Sequence, residues 1–170
     1  MMEKIVRNYL EIKSLNELKE KKKPNNKYIV EKVSPDDFQL NKFFYKQIGR
    51  KHHWNDRLIW DDKKWMSYVS NPNVFTYILK HNEDIAGFFE IIYSKDKSEI
   101  EIAYFGLLID YIDKKLGGYM LTEAIKISFS YNVKRVWVHT CSLDHKNALK
   151  NYLSRGMKIY NSETVIVRTA

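Results

Sequence analysis

The segment from Ile100 to Leu121 constrains the fold most, because it joins a predicted strand to a predicted helix through a basic turn. Residues 100–109 carry a single charge, Glu101, which is typical of a buried strand. The turn contains Lys114 and Lys115 ahead of two adjacent glycines. A helix N-terminus presents unpaired backbone N–H groups and a partial positive charge, so this junction is a candidate phosphate site. Adjacent glycines are also ordinary turn residues, and the segment has neither a P-loop nor a dinucleotide fingerprint.

Residues 101–121 resemble the acyl-CoA-binding segment of the GNAT superfamily of N-acetyltransferases. In that family a strand passes through a Val-x-Pro step into a Gln/Arg-x-x-Gly-x-Gly/Ala loop that opens a helix. Residues 107–109 fall on the step and residues 112–117 on the loop, where Lys115 replaces the first motif glycine and Gly117 keeps the second. The resemblance implies that acetyl-CoA is bound by Leu107, Leu108, Ile109, Ile112, Lys114, Lys115, Leu116, Gly117 and Gly118.

A second stretch with family spacing lies downstream. Members often carry Asn-x-x-Ala-x-x-x-Tyr-x-x-x-Gly-Phe on their last helix, and His145, Ala148, Tyr152, Gly156 and Met157 stand at those spacings here. The resemblance implies that His145 and Ala148 help to bind CoA. It also places Tyr152 near the CoA sulfur, where a phenol with a pKa of about 10 can donate a proton to a departing thiolate.

The remaining chemistry of acetyl transfer needs a donor for the thioester oxygen and a base for the amine proton. In the family the strand splays after its midpoint, and a freed backbone N–H holds the acetyl carbonyl; the resemblance assigns this N–H to Leu107. Glu101 stands six residues earlier, where some histone-acetylating members carry a catalytic glutamate. Glu99 and His139 are alternative bases, and Glu101 could also be a solvent-side carboxylate. A regular strand places Glu101 and Phe105 on one face, opposite Ile100, Ile102 and Tyr104.

Residues 50–65 have the most unusual composition, with three tryptophans and two histidines. The family builds acceptor specificity in this region, so the resemblance implies that His53, Trp54 and Arg57 contact the acceptor. The alternative is that the tryptophans pack a helical layer onto the sheet, and both can hold at once. Adjacent histidines such as His52 and His53 point about 100° apart on a helix and do not easily share a metal ion, so we expect no metal site.

The composition predicts one domain, residues 1–170, because a chain of 170 residues with 44% hydrophobic residues can bury one substantial core. Cys141 is the only cysteine, which excludes an intrachain disulfide. The sequence has no signal-peptide core and no apolar run long enough to span a membrane, so we expect a soluble cytoplasmic protein. The formal charge of +8 suits a polyanion such as CoA or nucleic acid. We interpret the basic run 19–23 as the solvated end of a helix.

The order of the predicted elements is consistent with the same family. Hydrophobic periodicity predicts strands over 6–12, 28–33, 74–80, 85–93, 99–108 and 133–140, and a closing hairpin over 157–168. The strand over 133–140 is expected to run parallel to the strand over 99–108, because a helix over 114–131 intervenes. Further helices are expected to begin at the caps Ser14, Ser34 and Asp144 and to run to about residues 22, 47 and 155.

These observations lead to a single GNAT-like α/β (α+β) domain, with a mixed, mostly antiparallel central sheet and helices on both faces. The predicted activity is acetyl-CoA-dependent N-acetyl transfer to a primary amine, without a metal and without a membrane. The identity of the acceptor does not follow from the sequence, and a homodimer is left open. Two alternatives are a non-catalytic acyl-CoA-binding protein of the same fold and a basic nucleic-acid-binding domain. The last is the less favoured, because no nucleic-acid motif is present.

Overall fold

One sheet of seven strands organises residues 1–168, the part of the chain that the computed structural model describes. The strands are β1 Met2–Ile12, β2 Tyr28–Lys32, β3 Val74–His81, β4 Asp84–Ser94, β5 Glu99–Leu107, β6 Arg135–Cys141 and β7 Lys158–Arg168. Their order across the sheet is β2-β3-β4-β5-β6-β1-β7. Every neighbouring pair is antiparallel except β5 and β6, which are parallel as predicted.

Helices cover both faces of this sheet. They are α1 Phe38–Gly49, α2 Asp62–Val69, α3 Gly117–Phe129 and α4 Ala148–Ser154. Phe44 of α1 packs with Phe88 of β4 in one core cluster, whereas α3 and α4 pack with the next residue of β4, Phe89, in a larger one. Because side chains alternate along a strand, the central strand β4 is buried on both of its faces. The predicted fold class, a mostly antiparallel mixed sheet with helices on both faces, is confirmed.

A buried ion pair fastens the α1–α2 layer to the centre of β4. Arg57 Nη1 lies 3.0 Å from Glu90 Oε1, and the two side chains are 6% and 0% exposed. Glu90 also accepts hydrogen bonds from the Tyr68 hydroxyl at 2.8 Å and from Asn41 Nδ2 at 3.0 Å. The guanidinium carbon of Arg57 lies 4.1–5.7 Å from the ring centroids of Tyr45, Trp60, Trp65, Tyr68 and Tyr104. These five rings, which we call the aromatic cage, close around the cation, so part of the aromatic content of residues 50–65 packs the layer onto the sheet.

The two helices predicted from Ser34 and Ser14 differ from the structure, the first in its start and the second in its extent. Asp37, and not Ser34, caps α1 by accepting the Gln39 N–H. Ser14 caps only the short 3-10 helix Leu15–Glu17. The basic run that follows is held as irregular backbone, because the Lys19 N–H donates to Arg155 O and the Lys21 N–H donates to Thr122 Oγ1. The run is therefore not the end of a helix.

The other helix corrections concern α3 and α4. The helix predicted over 114–131 begins only at Gly117, because Asp113 and Lys115 have φ values of 66° and 60°, outside the right-handed helical region. Asp144 accepts from Thr140 Oγ1 and from the Cys141 N–H. It therefore closes the turn after β6 and does not cap α4, which begins at Ala148.

The predicted closing hairpin over 157–168 is also wrong, since these residues form one continuous strand, β7. It pairs with β1 from Met2 opposite Arg168 to Glu11 opposite Lys158. On its other side β1 pairs with β6. The first strand of the chain thus lies between two strands from its last third, and periodicity along the sequence contains no signal for that insertion.

Replacing Glu90 with alanine should destabilise the fold strongly. The change leaves the Arg57 cation buried without its counter-ion, and removing one partner of a buried pair costs about 3–5 kcal/mol. Urea denaturation of Glu90→Ala against the wild type measures the difference. Glu83→Ala, in the exposed turn between β3 and β4, is the control and should stay within about 0.5 kcal/mol. If Glu90→Ala lowered the free energy of unfolding by less than about 1 kcal/mol, the Arg57–Glu90 pair would not be essential to the stability of the fold.

Candidate active site

Strands β5 and β6 separate after a short paired region. Their parallel pairing covers Glu99 to Glu101 opposite Arg135 to Trp137, although β5 continues to Leu107 and β6 to Cys141. Beyond the paired residues the two strands line a cleft with a volume of about 1180 Å³. A ligand can therefore pass between two neighbouring strands of the sheet without displacing any hydrogen-bonded pair.

A bulge in β5 decides which side chains reach this cleft. Ala103 has no partner on β4, because Glu90 pairs with Tyr104 and the next residue, Ile91, pairs with Ile102. The extra residue reverses the alternation, so Tyr104 joins the aromatic cage while Phe105 packs on the α3 side with Ile102. The predicted grouping of Tyr104 with Ile102, opposite Phe105, is therefore wrong. A regular strand was assumed, and a bulge is not visible in hydrophobic periodicity.

Strand β5 also directs free backbone N–H groups into the gap between β5 and β6. The Leu108 N–H donates to Ala86 O at 2.8 Å, toward β4. Donor directions alternate along an antiparallel strand, and the register is regular over this stretch, so the N–H groups of Leu107 and Phe105 point away from β4. They face the side on which β6 no longer pairs with β5. The Leu107 N–H, to which the resemblance assigns the acetyl carbonyl, therefore faces the gap.

The N-terminus of α3 opens at one end of the cleft. Its N-cap residue, Leu116, makes no side-chain cap, and the Met120 N–H donates to Leu116 O. The N–H groups ahead of Met120 precede this first bond and are available to a ligand. Gly117 and Gly118 line the cleft here. At Gly118 a Cβ would lie 2.3 Å from Arg155 Nη1, so the absence of a side chain lets the guanidinium approach the helix start this closely.

Basic side chains surround this end. Lys21, Lys115, Lys150 and Arg155 line the cleft, together with the carboxylate of Asp113. Arg155 Nε is buried and has no hydrogen-bond partner within the described chain, and its burial lowers the pKa of the guanidinium. A buried cationic group with an unused donor is suited to an anionic ligand.

Tyr152 lies in the middle of the cleft, on α4. Its side chain is 7% exposed, and its ring centroid lies 6.3 Å from that of Phe105. Burial raises the pKa of its phenol well above the ordinary value, and the charge of Asp144 raises it further. The hydroxyl therefore stays protonated across the physiological range, as a proton donor must.

Glu101 and His139 line the opposite side of the cleft. Burial raises the pKa of the half-buried Glu101 carboxyl, and the charge of Arg57 lowers it in part. His139 is an exposed residue that lines the cleft, and desolvation lowers the pKa of its imidazole. Both groups can accept a proton near neutral pH. Glu99, the other alternative base, is bound to Arg135 Nη2 at 2.9 Å and is not among the lining residues.

The 50–61 loop forms a further wall. His53 is exposed there, and the ring centroid of Trp54 lies 4.9 Å from that of Tyr104. Arg57 also lines the cleft, but its guanidinium is enclosed by the aromatic cage and by Glu90. Of the three predicted acceptor contacts, His53 and Trp54 present accessible surface, and Arg57 presents little.

The structure brings most of the predicted site residues together. The lining includes Glu101, Leu107, Ile112, Lys115, Leu116, Gly117, Gly118, His145, Ala148 and Tyr152. Leu108, Ile109 and Lys114 lie outside it. Leu108 is hydrogen-bonded toward β4, Ile109 is 63% exposed in a 3-10 turn, and Lys114 Nζ lies 5.3 Å from the Tyr111 ring centroid.

Sequence reasoning missed several lining residues that arrive from distant elements. They include Arg7, Lys21, Asn151 and Arg155. Asn151 Nδ2 donates to Gly117 O at 3.1 Å and so joins α4 to the start of α3. The basic run 19–23 was a usable signal for Lys21, whereas nothing in the local sequence marks Arg7.

Comparison with known families identifies the arrangement. The model of the acetyltransferase (GNAT) family matches residues 35–157. The chain belongs to this family. The prediction that the chain is a member of the GNAT superfamily is thereby confirmed. Comparison with curated proteins gives no match.

Solved structures share the fold at low sequence identity. A functionally unknown conserved protein from Staphylococcus epidermidis is 19% identical with a TM-score of 0.65, over 97% of this chain and 62% of the other. A GCN5-related N-acetyltransferase from Sphaerobacter thermophilus is 12% identical with a TM-score of 0.70, over 95% and 50%. Spermidine N-acetyltransferase from Vibrio cholerae, in complex with CoA and spermine, is 12% identical with a TM-score of 0.64, over 78% and 81%. The chain thus spans 62% and 50% of the length of the first two proteins.

Residues 1–168 contain neither a candidate metal site nor a candidate membrane-spanning helix. No group of three or more His, Cys, Asp or Glu side chains is arranged there to hold a metal ion. No helix in the same range is long and apolar enough to cross a membrane.

The left-handed backbone at Lys115 predicts a stability difference between two neighbouring lysines. A side chain in that region costs roughly 1–2 kcal/mol, and glycine avoids this cost but loses about 0.5–1 kcal/mol of chain entropy. Lys115→Gly should therefore be neutral or stabilising by up to about 1 kcal/mol. Lys114→Gly, where φ is not positive, should destabilise by about 0.5–1 kcal/mol. Urea denaturation of both variants tests the difference, and equal losses would show that Lys115 is not strained.

Proposed function

We propose that this chain is an acetyl-CoA-dependent N-acetyltransferase acting on a primary amine, and that it forms a single domain. The observation that carries the proposal is the separation of β5 from β6 directly beside the uncapped N-terminus of α3. One end of the resulting cleft is basic and offers backbone donors, which suits a pyrophosphate. Its middle carries a buried phenol and its far side a carboxyl group, which suits acyl transfer to an amine.

The residues present fit CoA by their chemistry. The free N–H groups at Gly117 and Gly118 would hold the pyrophosphate, with Lys21, Lys115 and Arg155 supplying positive charge. The unused Nε donor of Arg155 supports this assignment, because a buried donor without a partner is costly. When bound, acetyl-CoA supplies an acetyl group activated as a thioester.

The chain's own groups provide the remaining steps of the proposed reaction. The Leu107 N–H faces the gap and would donate to the thioester oxygen, stabilising the negative charge that develops on it. Glu101 would take the proton of the attacking amine, directly or through water, with His139 as the alternative base. Tyr152 would donate its phenolic proton to the leaving sulfur, and its raised pKa keeps that proton in place until then.

Substitution at Gly117 tests the phosphate site. A Cβ there would lie 3.5 Å from Asn151 Nδ2, an ordinary contact, so a side chain can be accommodated. Gly117→Glu should weaken acetyl-CoA binding at least tenfold, about 1.4 kcal/mol, because a carboxylate would face the phosphates. Calorimetric titration measures the dissociation constant. Gly117→Ala is the steric control and should stay within about threefold, or about 0.7 kcal/mol.

No measurable binding by the wild type, at low and at moderate salt, would refute the proposal. Equal losses in Gly117→Ala and Gly117→Glu would refute the placement of the phosphates.

Glu101→Gln and Tyr152→Phe test the proton transfers. The assay is thiol release from acetyl-CoA with a panel of amino acids, their decarboxylated amines, polyamines and lysine peptides. Each variant should lower kcat about 10²-fold while acetyl-CoA binding changes little, since each removes one proton-transfer group. Tyr93→Phe, a tyrosine outside the cleft lining, is the control and should keep the wild-type kcat.

The pH profile separates Glu101 from the acceptor. The Glu101 pKa is raised above 4.5, so below it the carboxyl is protonated and cannot act as a base. In the wild type, log kcat/KM should rise with pH with a slope of two below this pKa, because Glu101 must be ionised and the acceptor must enter as the neutral amine. Above this pKa only the amine still loses a proton, so the slope should be one. Glu101→Gln should show a slope of one throughout. A slope of two in Glu101→Gln would assign the base to another group, with His139 as the first candidate. Binding of acetyl-CoA by the wild type without any turnover would favour a non-catalytic acyl-CoA-binding protein.

A further inference from the structure

One face of strands β5, β6 and β1 borders the cleft on the side away from α3 and α4. Glu99 binds Arg135, and Trp137 and His139 follow Arg135 on the same side of β6. The Tyr9 ring lies 6.3 Å from that of Trp137 and 5.8 Å from that of His139. By strand alternation Glu101 and Arg7 share this side with Glu99 and Tyr9. We call the surface that carries Glu101, His139 and Arg7 the acceptor face.

Arg7 has unused hydrogen-bonding capacity on this face. It lines the cleft, and its side chain is 32% exposed. Arg7 Nε is buried without a hydrogen-bond partner in the described chain. Its Nη1 lies 3.9 Å from Glu163 Oε1, at the outer limit of an ion pair, and that oxygen already accepts the Tyr9 hydroxyl at 2.5 Å. A guanidinium with a free donor edge is the group that binds a carboxylate bidentately.

The position of Arg7 is level with the backbone donors of β5. Arg7 pairs with Cys141, four residues beyond Trp137, which is the last residue of β6 paired to β5. Four residues beyond the corresponding Glu101 is Phe105, two residues before Leu107. Arg7 therefore lies near the level of the N–H groups that face the gap, on the far side of β6 from β5. A group bound there would be held beside the point of transfer.

The acceptor face carries charges of both signs. Glu101, Asp56 and Glu163 are negative, Arg7 and Arg168 are positive, and Arg57 is neutralised by Glu90. After desolvation, the charge of Arg7 lowers the pKa of His139, and the charges of Asp144, Asp56 and Glu163 raise it, so groups of both signs lie around one imidazole. A polyamine would meet Arg7 and Arg168 as like charges. A molecule with both an amine and a carboxylate would meet a partner at each end.

From this geometry, and on the basis of the proposed function, we propose that Arg7 is a specificity-determining residue that binds a carboxylate of the acceptor. The acceptor class is then an amine bearing a nearby carboxylate, such as an amino acid or a short peptide with a free N-terminus. The carboxylate lies on Arg7 and orients the amine toward the gap between β5 and β6.

Matched acceptor pairs test this assignment kinetically. Each amino acid in the panel is compared with its decarboxylated amine, for example phenylalanine with phenethylamine. The wild type should favour the carboxylate member of its best pair at least tenfold in kcat/KM. Arg7→Gln should reduce that ratio at least tenfold, chiefly through KM, and Arg7→Lys should give an intermediate ratio. Lys4→Gln removes one positive charge from the exposed opposite side of β1 and should keep the wild-type ratio.

A preference for the decarboxylated amines, or an unchanged ratio in both Arg7 variants, would overturn the assignment. Thermal unfolding of each variant verifies that it is folded, and Arg7→Lys keeps the test decisive where Arg7→Gln does not fold.

A binding assay separates this inference from the proposed function. In the presence of CoA, the wild type should bind N-acetylphenylalanine, or the N-acetyl form of another preferred amino acid, at least tenfold more tightly than the matching N-acetyl amine. Arg7→Gln should abolish that difference. If acetyl-CoA binds but no amine is acetylated, the proposed function fails while this titration still decides the role of Arg7. Equal binding of the two N-acetyl compounds by the wild type would overturn the carboxylate site.

Discussion

The buried pair between Arg57 and Glu90 is the interaction on which the site depends. Glu90 is on the central strand, and Arg57 is on the 50–61 loop, which forms one wall of the cleft. The bulge at Ala103 comes directly before Tyr104, the residue that pairs with Glu90, and it turns Tyr104 toward the Arg57 guanidinium. Removing two charges from water is expensive, and here the cost is offset by several hydrogen bonds and by the aromatic cage. The ion pair, the bulge and the loop therefore form one unit that holds a wall of the cleft.

The two ends of the cleft differ in their charged groups. Lysine and arginine side chains concentrate beside the start of α3, where the helix also contributes a partial positive charge. Across the sheet, the surface with Glu101 and His139 carries charges of both signs outside the Arg57–Glu90 pair. The formal charge of +8 is thus unevenly distributed, with basic groups at the end suited to phosphates. Both environments meet at the segment from Phe105 to Leu107, where β5 has lost its neighbour.

Features encoded within one continuous segment could be predicted from the sequence, and features made by distant segments could not. The strand, turn and helix of residues 100–121 and the Tyr152 spacing carry local signals, and the structure brings Glu101, Gly117 and Tyr152 to one cleft. The bulge at Ala103 left no trace in periodicity. Arg7 and Arg155 reach the cleft only through the placement of β1 and through the packing of α4 against α3, and neither is a local property. The lysine run was recognised but misassigned, because its backbone is held by Thr122 and Arg155.

The insertion of β1 between β6 and β7 bears on the order in which the protein assembles. Strands β4, β5 and β6 and helix α3 occupy a continuous stretch, so the basic end of the cleft, apart from Lys21, forms from contacts between near neighbours in sequence. By contrast, Arg7 pairs with Cys141, and Met2 pairs with Arg168, so these contacts join residues that are separated by most of the chain. Closing such large loops costs entropy and slows folding. We therefore expect the side of the cleft that contains Arg7 to form last, and to be the first to open when the folded protein fluctuates.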